Sequence, residues 1–274
     1  MLKDAPTNAT AYAKTLAKGL KLLEVLAESA EGASAADLAG EIGVHKNSVY
    51  RYLNAFLASG YIQVADDGRY YLGNKILELG SQRLRRMPLR ETAHPFLVQL
   101  SAGTQKTVHM SILDRLDVIY IDKIESPRTL PIMSRIGSRA PAYCTGVGKA
   151  LLSALTAEQL VVLLRETALE ERTPTTITDP IRLMEELRIS AERGYAVDNG
   201  EHEVGIRCYG VPIRGFGGDV VGAISITALE REFECPEERT RMLSAVMAAA
   251  TEISRALGAA GPALRSGPSA HDTD

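Results

Sequence analysis

Tryptophan is absent from this 274-residue chain, and all aromatics together make up only 5% of it. Its cores therefore have to be built from Leu, Val, Ile and Ala. Cysteine is scarce too: Cys144, Cys208 and Cys235 are an odd number at wide spacing, with no Cys-x-x-Cys among them. The five histidines, at 45, 94, 109, 202 and 271, are scattered. That pattern argues against a disulfide framework or a structural zinc site, and no metal or cofactor is expected. No uncharged apolar run approaches the roughly 18–20 residues that a membrane span needs. Residues 1–10 lack the basic and apolar regions of a signal peptide. The expectation is a soluble, cytoplasmic protein with no membrane partner. What is present is ordinary: 45% hydrophobic and 24% charged residues exclude wholesale disorder. The length suits two modest domains or one large one.

Charge is unevenly spread. Residues 1–86 hold 11 Lys/Arg against 9 Asp/Glu, a net of +2, and the remaining 188 hold 20 against 25, a net of −5. A mildly basic head on an acidic body suggests that only the head meets a polyanion. Within that head, residues 15–27 place Leu16, Leu20, Leu23 and Ala27 on one stripe of an amphipathic helix. Gly32 ends it. Ser34 can cap a second helix, with Asp37 as its partner, carrying Leu38, Ala39 and Ile42. A third follows, with Val49, Leu53, Phe56 and Leu57 inward and Gly60 past its end. Ala39, then Gly43, then Val49 is the helix-turn-helix arrangement: a small residue at the crossing, a glycine in the turn and a β-branched anchor. The outer face of the third helix offers Lys46, Asn47, Ser48, Tyr50, Arg51 and Asn54, hydrogen-bonding residues where a recognition helix enters the major groove. A merely solvated face would mix in acids, yet none occurs from His45 to Ser59. Two alternating runs around Asp67-Gly68 make a hairpin. The whole, 12–73, reads as a winged helix-turn-helix that binds double-stranded DNA, with Arg69 on the wing placed for a phosphate.

Asn74 to Met87 (with Pro88, a linker over 74–88) reads as another helix, its Ile76, Leu77, Leu79 and Leu84 apolar and Arg83, Arg85 and Arg86 polar. Two roles are open for it: a spacer whose apolar face packs on its neighbours, or a link whose arginines add phosphate contacts. Glu91–Ser101 is helical again, with a break expected near His94-Pro95. From 107 the hydrophobic period changes to two. Strands are expected at 108–113, 116–121, 131–136, 195–199, 206–214 and 219–228, and helices at 146–155, 157–167, 180–193 and 236–257. Residues 89–258 are thus an α+β domain with a mainly antiparallel sheet. The tail, 259–274, is read as disordered.

The order of these parts, with Thr145-Gly146-Val147-Gly148-Lys149-Ala150, Gly194-Tyr195-Ala196-Val197-Asp198-Asn199 and Gly205-Ile206-Arg207-Cys208, resembles the IclR family of bacterial transcription regulators over about residues 12–257. The resemblance implies a GAF-like effector-binding domain, a dimer or dimer of dimers, and control of a small-molecule catabolic operon. It also implies that Gly146, Val147, Asp198, Cys208, Ser225 and Thr227 hold a small-molecule effector. Thr227 stands where the family often has Ser, and Val147 is bulkier than the usual Ala.

Chemistry narrows the alternatives. Gly146-Val147-Gly148-Lys149 is not a phosphate loop, because Tyr143 and Ala150 stand where that motif needs Gly and Ser/Thr. It reads instead as a helix start whose unpaired N–H groups can hold a carboxylate or a hydroxyl. Ser225 and Thr227, two apart in a strand, face the same side, and Asp198 can accept from ligand hydroxyls. His109 suits either the pocket wall or the core, while Arg139 and Arg207 suit ion pairs better than a ligand. An enzyme using Cys144 would need a base and an oxyanion site, and no such signature is present. The resemblance leans toward a repressor released by a small organic acid, sugar acid or polyol, a choice between repression and activation that the residues alone do not make. An activator built from the same parts, or a winged helix that docks on protein, is the alternative.

Overall fold

The computed structural model describes residues 11–126, 134–165 and 167–259, and the chain divides between Arg86 and Met87 into two compact units. The first opens with α1 (Ala11–Glu28), α2 (Ala35–Glu41) and α3 (Lys46–Ala58). Ser34 and Asp37 cap α2 reciprocally, each side chain bonding the other residue's backbone N–H. Gly43 sits at φ +62 in the turn before α3, and Lys18 on α1 donates to its carbonyl at 3.0 Å. Strands β1 (Ile62–Val64) and β2 (Tyr70–Leu72) form the antiparallel wing. Leu22, Leu26, Leu38, Ala39, Ile42, Val49, Leu53 and Ile62 make the core.

The stripe expected on α1 is displaced. Leu22 and Leu26 are buried, whereas Leu16 and Leu20 are 64% and 51% exposed and Ala27 is exposed. Both sets recur every three to four residues, so periodicity alone does not choose between them. Gly19 decides: its missing side chain lets Tyr52 and Phe56 of α3 lie against α1 there. Helix α4 (Asn74–Arg85) closes the unit with no fully buried residue: Ile76 and Leu84 are half-buried, and Leu79 is exposed. Leu77 is 71% exposed.

The second unit begins with α5 (Pro88–Thr104), whose Pro88 opens the helix. The break expected at His94-Pro95 does not occur. Pro95 forfeits one hydrogen bond, but Ala93, Leu97 and Leu100 are buried, and Arg90 and His94 reach Ile121 O and the Asp122 carboxylate. That anchoring holds the helix on both sides of the proline. Six strands follow: β3 (Thr107–Asp114), β4 (Asp117–Ile124), β5 (Arg139–Pro141), β6 (Ala196–Asn199), β7 (Ile206–Arg214) and β8 (Val220–Leu229). They form one antiparallel sheet in the order β5-β4-β3-β8-β7-β6. The first half of the strand expected at 131–136 lies outside the described residues; its second half, 134–136, is loop and turn, and the strand is Arg139–Pro141. The expected tail lies outside the described residues from 260 onward.

Helices α5 and α10 (Pro236–Ala256) cover one face of the sheet. The other face carries α6 (Gly146–Leu152) and, beyond it, α8 (Pro180–Arg193), with α7 (Ala157–Arg165) between them in the chain. A short α9 (Glu230–Phe233) joins β8 to α10. Strand alternation sorts β8 between the two layers. Gly222 faces Leu89 of α5, so Ala223, Ser225 and Thr227 face α6.

Candidate functional site

Two places gather the residues singled out by the sequence. On α3, Lys46, Asn47, Tyr50, Arg51 and Asn54 are exposed and Ser48 is half-buried, opposite the buried Val49 and Leu53. The face carries no acid, and the N-cap His45 makes no side-chain capping bond, so the helix start keeps donors and partial positive charge for an anion. Arg69 is partly engaged already: its Nε–H donates to Glu31 O at 2.9 Å, tying the wing to the α1–α2 loop.

The second place is where α6 meets the sheet. A Cβ on Gly210 would come within 2.0 Å of Gly146 O, and one on Gly148 within 2.3 Å of Ala142 O. Only glycine lets the helix start approach β7 this closely. Thr145 caps the helix, its Oγ1 accepting from Gly148 N and its carbonyl from Lys149 N. The N–H groups of Gly146 and Val147 have no partner among the described residues. They face a cavity of about 30 Å³ lined by His109, Tyr120, Thr145, Gly146, Val147, Asp198, His202, Glu203, Ile206, Cys208, Ser225 and Thr227. All six residues named from the resemblance are in that lining. Strand register explains why: Asp198 is paired with Cys208, Cys208 with Thr227, and Ser225 with His109. A double row of side chains, Asp198–Cys208–Thr227 beside Ser225–His109, thus crosses four strands.

Hydrogen bonds run along that row. The His109 ring links Ser134 Oγ (2.7 Å) and Thr227 Oγ1 (3.3 Å), and Thr227 Oγ1 lies 3.2 Å from Cys208 Sγ. The Ser225 hydroxyl, in a residue 2% exposed, has no protein partner among the described residues. Burial, with the Lys123 ammonium adding to it, pushes the His109 pKa down to about 3, so the ring is neutral. Burial pushes Asp198 up to about 7, against the pull of the Glu201 N–H that it accepts at 2.7 Å. The thiols are raised for the same reason, Cys144 to about 12 and Cys208 well above its usual value. A thiol so protonated is a poor nucleophile, which counts against cysteine hydrolysis at either position.

Lys149 has a use that the sequence does not reveal. Its ammonium is buried at 1% exposure, 2.5 Å from Glu201 Oε1 and 3.6 Å from Glu186 Oε1 of α8. Glu201 opens the β6–β7 loop, which carries His202 and Glu203 over the cavity. Thr173, Thr175 and Thr176 hold the same loop through the Gly200 and Glu201 carbonyls. Arg139 pairs with Asp114 and Asp117, and Arg207 with Glu230, so both are engaged in ion pairs. Tyr120, Thr145, His202, Glu203 and Ile206 escape a reading of the sequence. Thr145 alone left a signal, as a hydroxyl in capping position before Gly-x-Gly; the others depend on strand order and loop closure. Among the described residues no group of three or more His, Cys, Asp or Glu could hold a metal ion, and no helix is long and apolar enough to cross a membrane.

Comparison with known proteins agrees along nearly the whole chain. Residues 15–66 match the IclR helix-turn-helix domain and residues 81–255 the bacterial transcriptional regulator IclR C-terminal domain. The transcriptional repressor IclR of Escherichia coli (strain K12) is 32% identical over 258 residues, 93% of each chain. The transcriptional regulator KdgR of the same organism is 34% identical over 239 residues, 86% of this chain and 90% of the relative. Among solved structures, the Thermotoga maritima IclR is similar at TM-score 0.73 and 35% identity, over 89% of this chain and 98% of that one.

Proposed function

The chain belongs to the IclR family of bacterial transcriptional regulators, and from that premise we propose that it is a repressor of a catabolic operon whose hold on its operator is released by a small organic acid, sugar acid or polyol bound in the cavity beneath α6. The observation that carries this reading is the convergence of Gly146, Val147, Asp198, Cys208, Ser225 and Thr227 on one cavity. Its polar groups suit a small oxygen-rich ligand. Two unpaired backbone N–H groups can donate, Ser225 can donate or accept, and Asp198 can bond a hydroxyl. The cavity now has the room of about one water, so an effector of even three carbons has to displace the β6–β7 loop. That displacement is the differential interaction a switch needs.

In the other unit, α3 lies in the major groove with Lys46, Asn47, Ser48, Tyr50, Arg51 and Asn54 toward base edges and phosphates, while Arg69 reaches the backbone through its Nη nitrogens. Two such units in a dimer, or four in a dimer of dimers, read a pseudo-palindromic site. The uncovered Leu16, Leu20, Leu77 and Leu79 supply apolar surface for a second copy.

The test is fluorescence anisotropy on labelled DNA from the gene's own upstream region, titrated with salt and then with small acids and polyols. Steeply salt-dependent binding that one of these compounds weakens is the expected result. Strengthening by the compound would make it an activator or a co-repressed system. Binding indifferent to salt would point to a protein partner instead.

A further inference from the structure

The charges around the cavity are one-sided. Among the described residues its lining holds two carboxyl groups, Asp198 and Glu203, and no lysine or arginine. His109, the ring deepest in the row, is buried and neutral. The Lys149 ammonium nearby is spent on Glu201 and Glu186. An ionised carboxylate ligand brought to the Gly146 and Val147 N–H groups would therefore meet a second anion at Asp198, with no lysine or arginine among the described lining residues to offset it. Two carboxylates in one buried site do not both stay ionised; one keeps a proton. Asp198 is 2% exposed and accepts the Glu201 N–H on Oδ1, and the Cys208 thiol is its side-chain neighbour.

The groups that surround it act as follows. Tyr120 of β4, Cys144 of the turn before α6 and Cys208 of β7 are neutral at physiological pH, because burial raises all three. Glu201 repels a charge on Asp198 and Lys149 attracts one, while the His202 backbone donates to it. Burial, with the exposed Arg172 adding to it, biases the His202 ring toward neutrality. Burial is the larger effect on Asp198.

We propose that a carboxylate effector enters this cavity together with one proton, and that Asp198 carries it, donating its O–H to the ligand's anion. The proposal rests on the reading of the cavity as the effector site, and it makes Asp198 the residue that decides between acids and neutral ligands. Protonated, it donates to a carboxylate; ionised, it accepts only and favours hydroxyls or an amide N–H.

The experiment is isothermal titration of the full chain with lactate, glycolate and pyruvate and with the neutral amides of lactate and glycolate. It is run between pH 5.5 and 8.5, where these acids are ionised, and at each pH in two buffers of different ionisation enthalpy. Lactate, glycolate or pyruvate should bind with uptake of a proton that approaches one above neutrality, and its affinity should fall about tenfold per pH unit above 7. The amides should not weaken over that range. In Asp198→Asn the acid's pH dependence should flatten, but the wild-type buffer comparison decides the matter even where that variant folds poorly. Acids that bind with no proton exchange overturn the proton coupling and leave the cavity as the effector site. Amides that bind where the acids do not would do the same. Neither acid nor amide binding at any pH would remove the reading of the cavity as a small-acid site, and this proposal with it.

Discussion

Single residues carry the sharpest consequences. Lys149 is a buried ammonium held by Glu201, with Glu186 close by. Truncating it to Met strands the Glu201 carboxylate, whose Oε2 is already buried without a partner among the described residues. Removing one member of such a pair costs about 3–5 kcal/mol. Chemical denaturation of Lys149→Met should show that loss, and adding Glu201→Gln should recover much of it, since no uncompensated charge then remains. Asp198 gives a pH signature. Its pKa is raised to about 7 in the fold by burial, against about 3.9 unfolded. The folded state therefore holds a proton that the unfolded chain has shed, so the group's contribution is fully present below about pH 4 and is lost as pH rises through about 7. Urea midpoints should show Asp198→Asn gaining on the wild type by up to about 1.4 kcal/mol per pH unit across that window, with a flat difference above it. A gain at falling pH would refute the assignment.

Among the elements, α3 is the one whose function shows plainly in its residues, because the buried Val49 and Leu53 oppose a polar face free of acid. Arg51→Ala should weaken operator binding by about 1–3 kcal/mol if it reads a base, or lower the salt slope by about one if it meets a phosphate. Anisotropy at several salt concentrations separates the two, and a thermal shift with effector should stay as in the wild type. Local chemistry also made α2, α8 and β7 legible. Ser34 and Asp37, then Pro180 and Gly194, punctuate the helices, and the uncharged stretch Cys208–Ile213 between Arg207 and Arg214 marks β7. Two elements resisted for opposite reasons. Helix α1 has two apolar stripes, and the choice between them is made at Gly19 by side chains from α3. Helix α5 keeps its course through Pro95 because Arg90 and His94 are fastened to β4, a contact thirty residues away in the chain. The cavity divides in the same way. Ser225 and Thr227 follow from strand alternation, whereas Tyr120, His202 and Glu203 arrive through sheet order and the fold of a loop.

At the scale of the whole molecule, the chain divides into two units with different charge balance, and the proposed self-association would draw on surface that each unit leaves uncovered. In the first unit that surface includes Leu77, 71% exposed on a helix with no buried residue. Leu77→Glu should shift the monomer–dimer midpoint in sedimentation by tenfold or more, about 1.4 kcal/mol. Operator affinity should fall with it, because a single head gives up the second half-site. An unchanged sedimentation profile would move the dimer contact elsewhere.

The small size of the cavity under α6 has a bearing on when such a regulator answers. With the cavity as the proposed effector site, room for one water means that part of a ligand's binding energy would go into prising the Glu201 loop from its lysine and threonine fastenings. The observed affinity is the intrinsic one multiplied by the fraction of molecules already ajar. A protein built this way is deaf to traces and hears abundance, so its threshold is set by how firmly the loop is fastened as well as by the fit of the ligand.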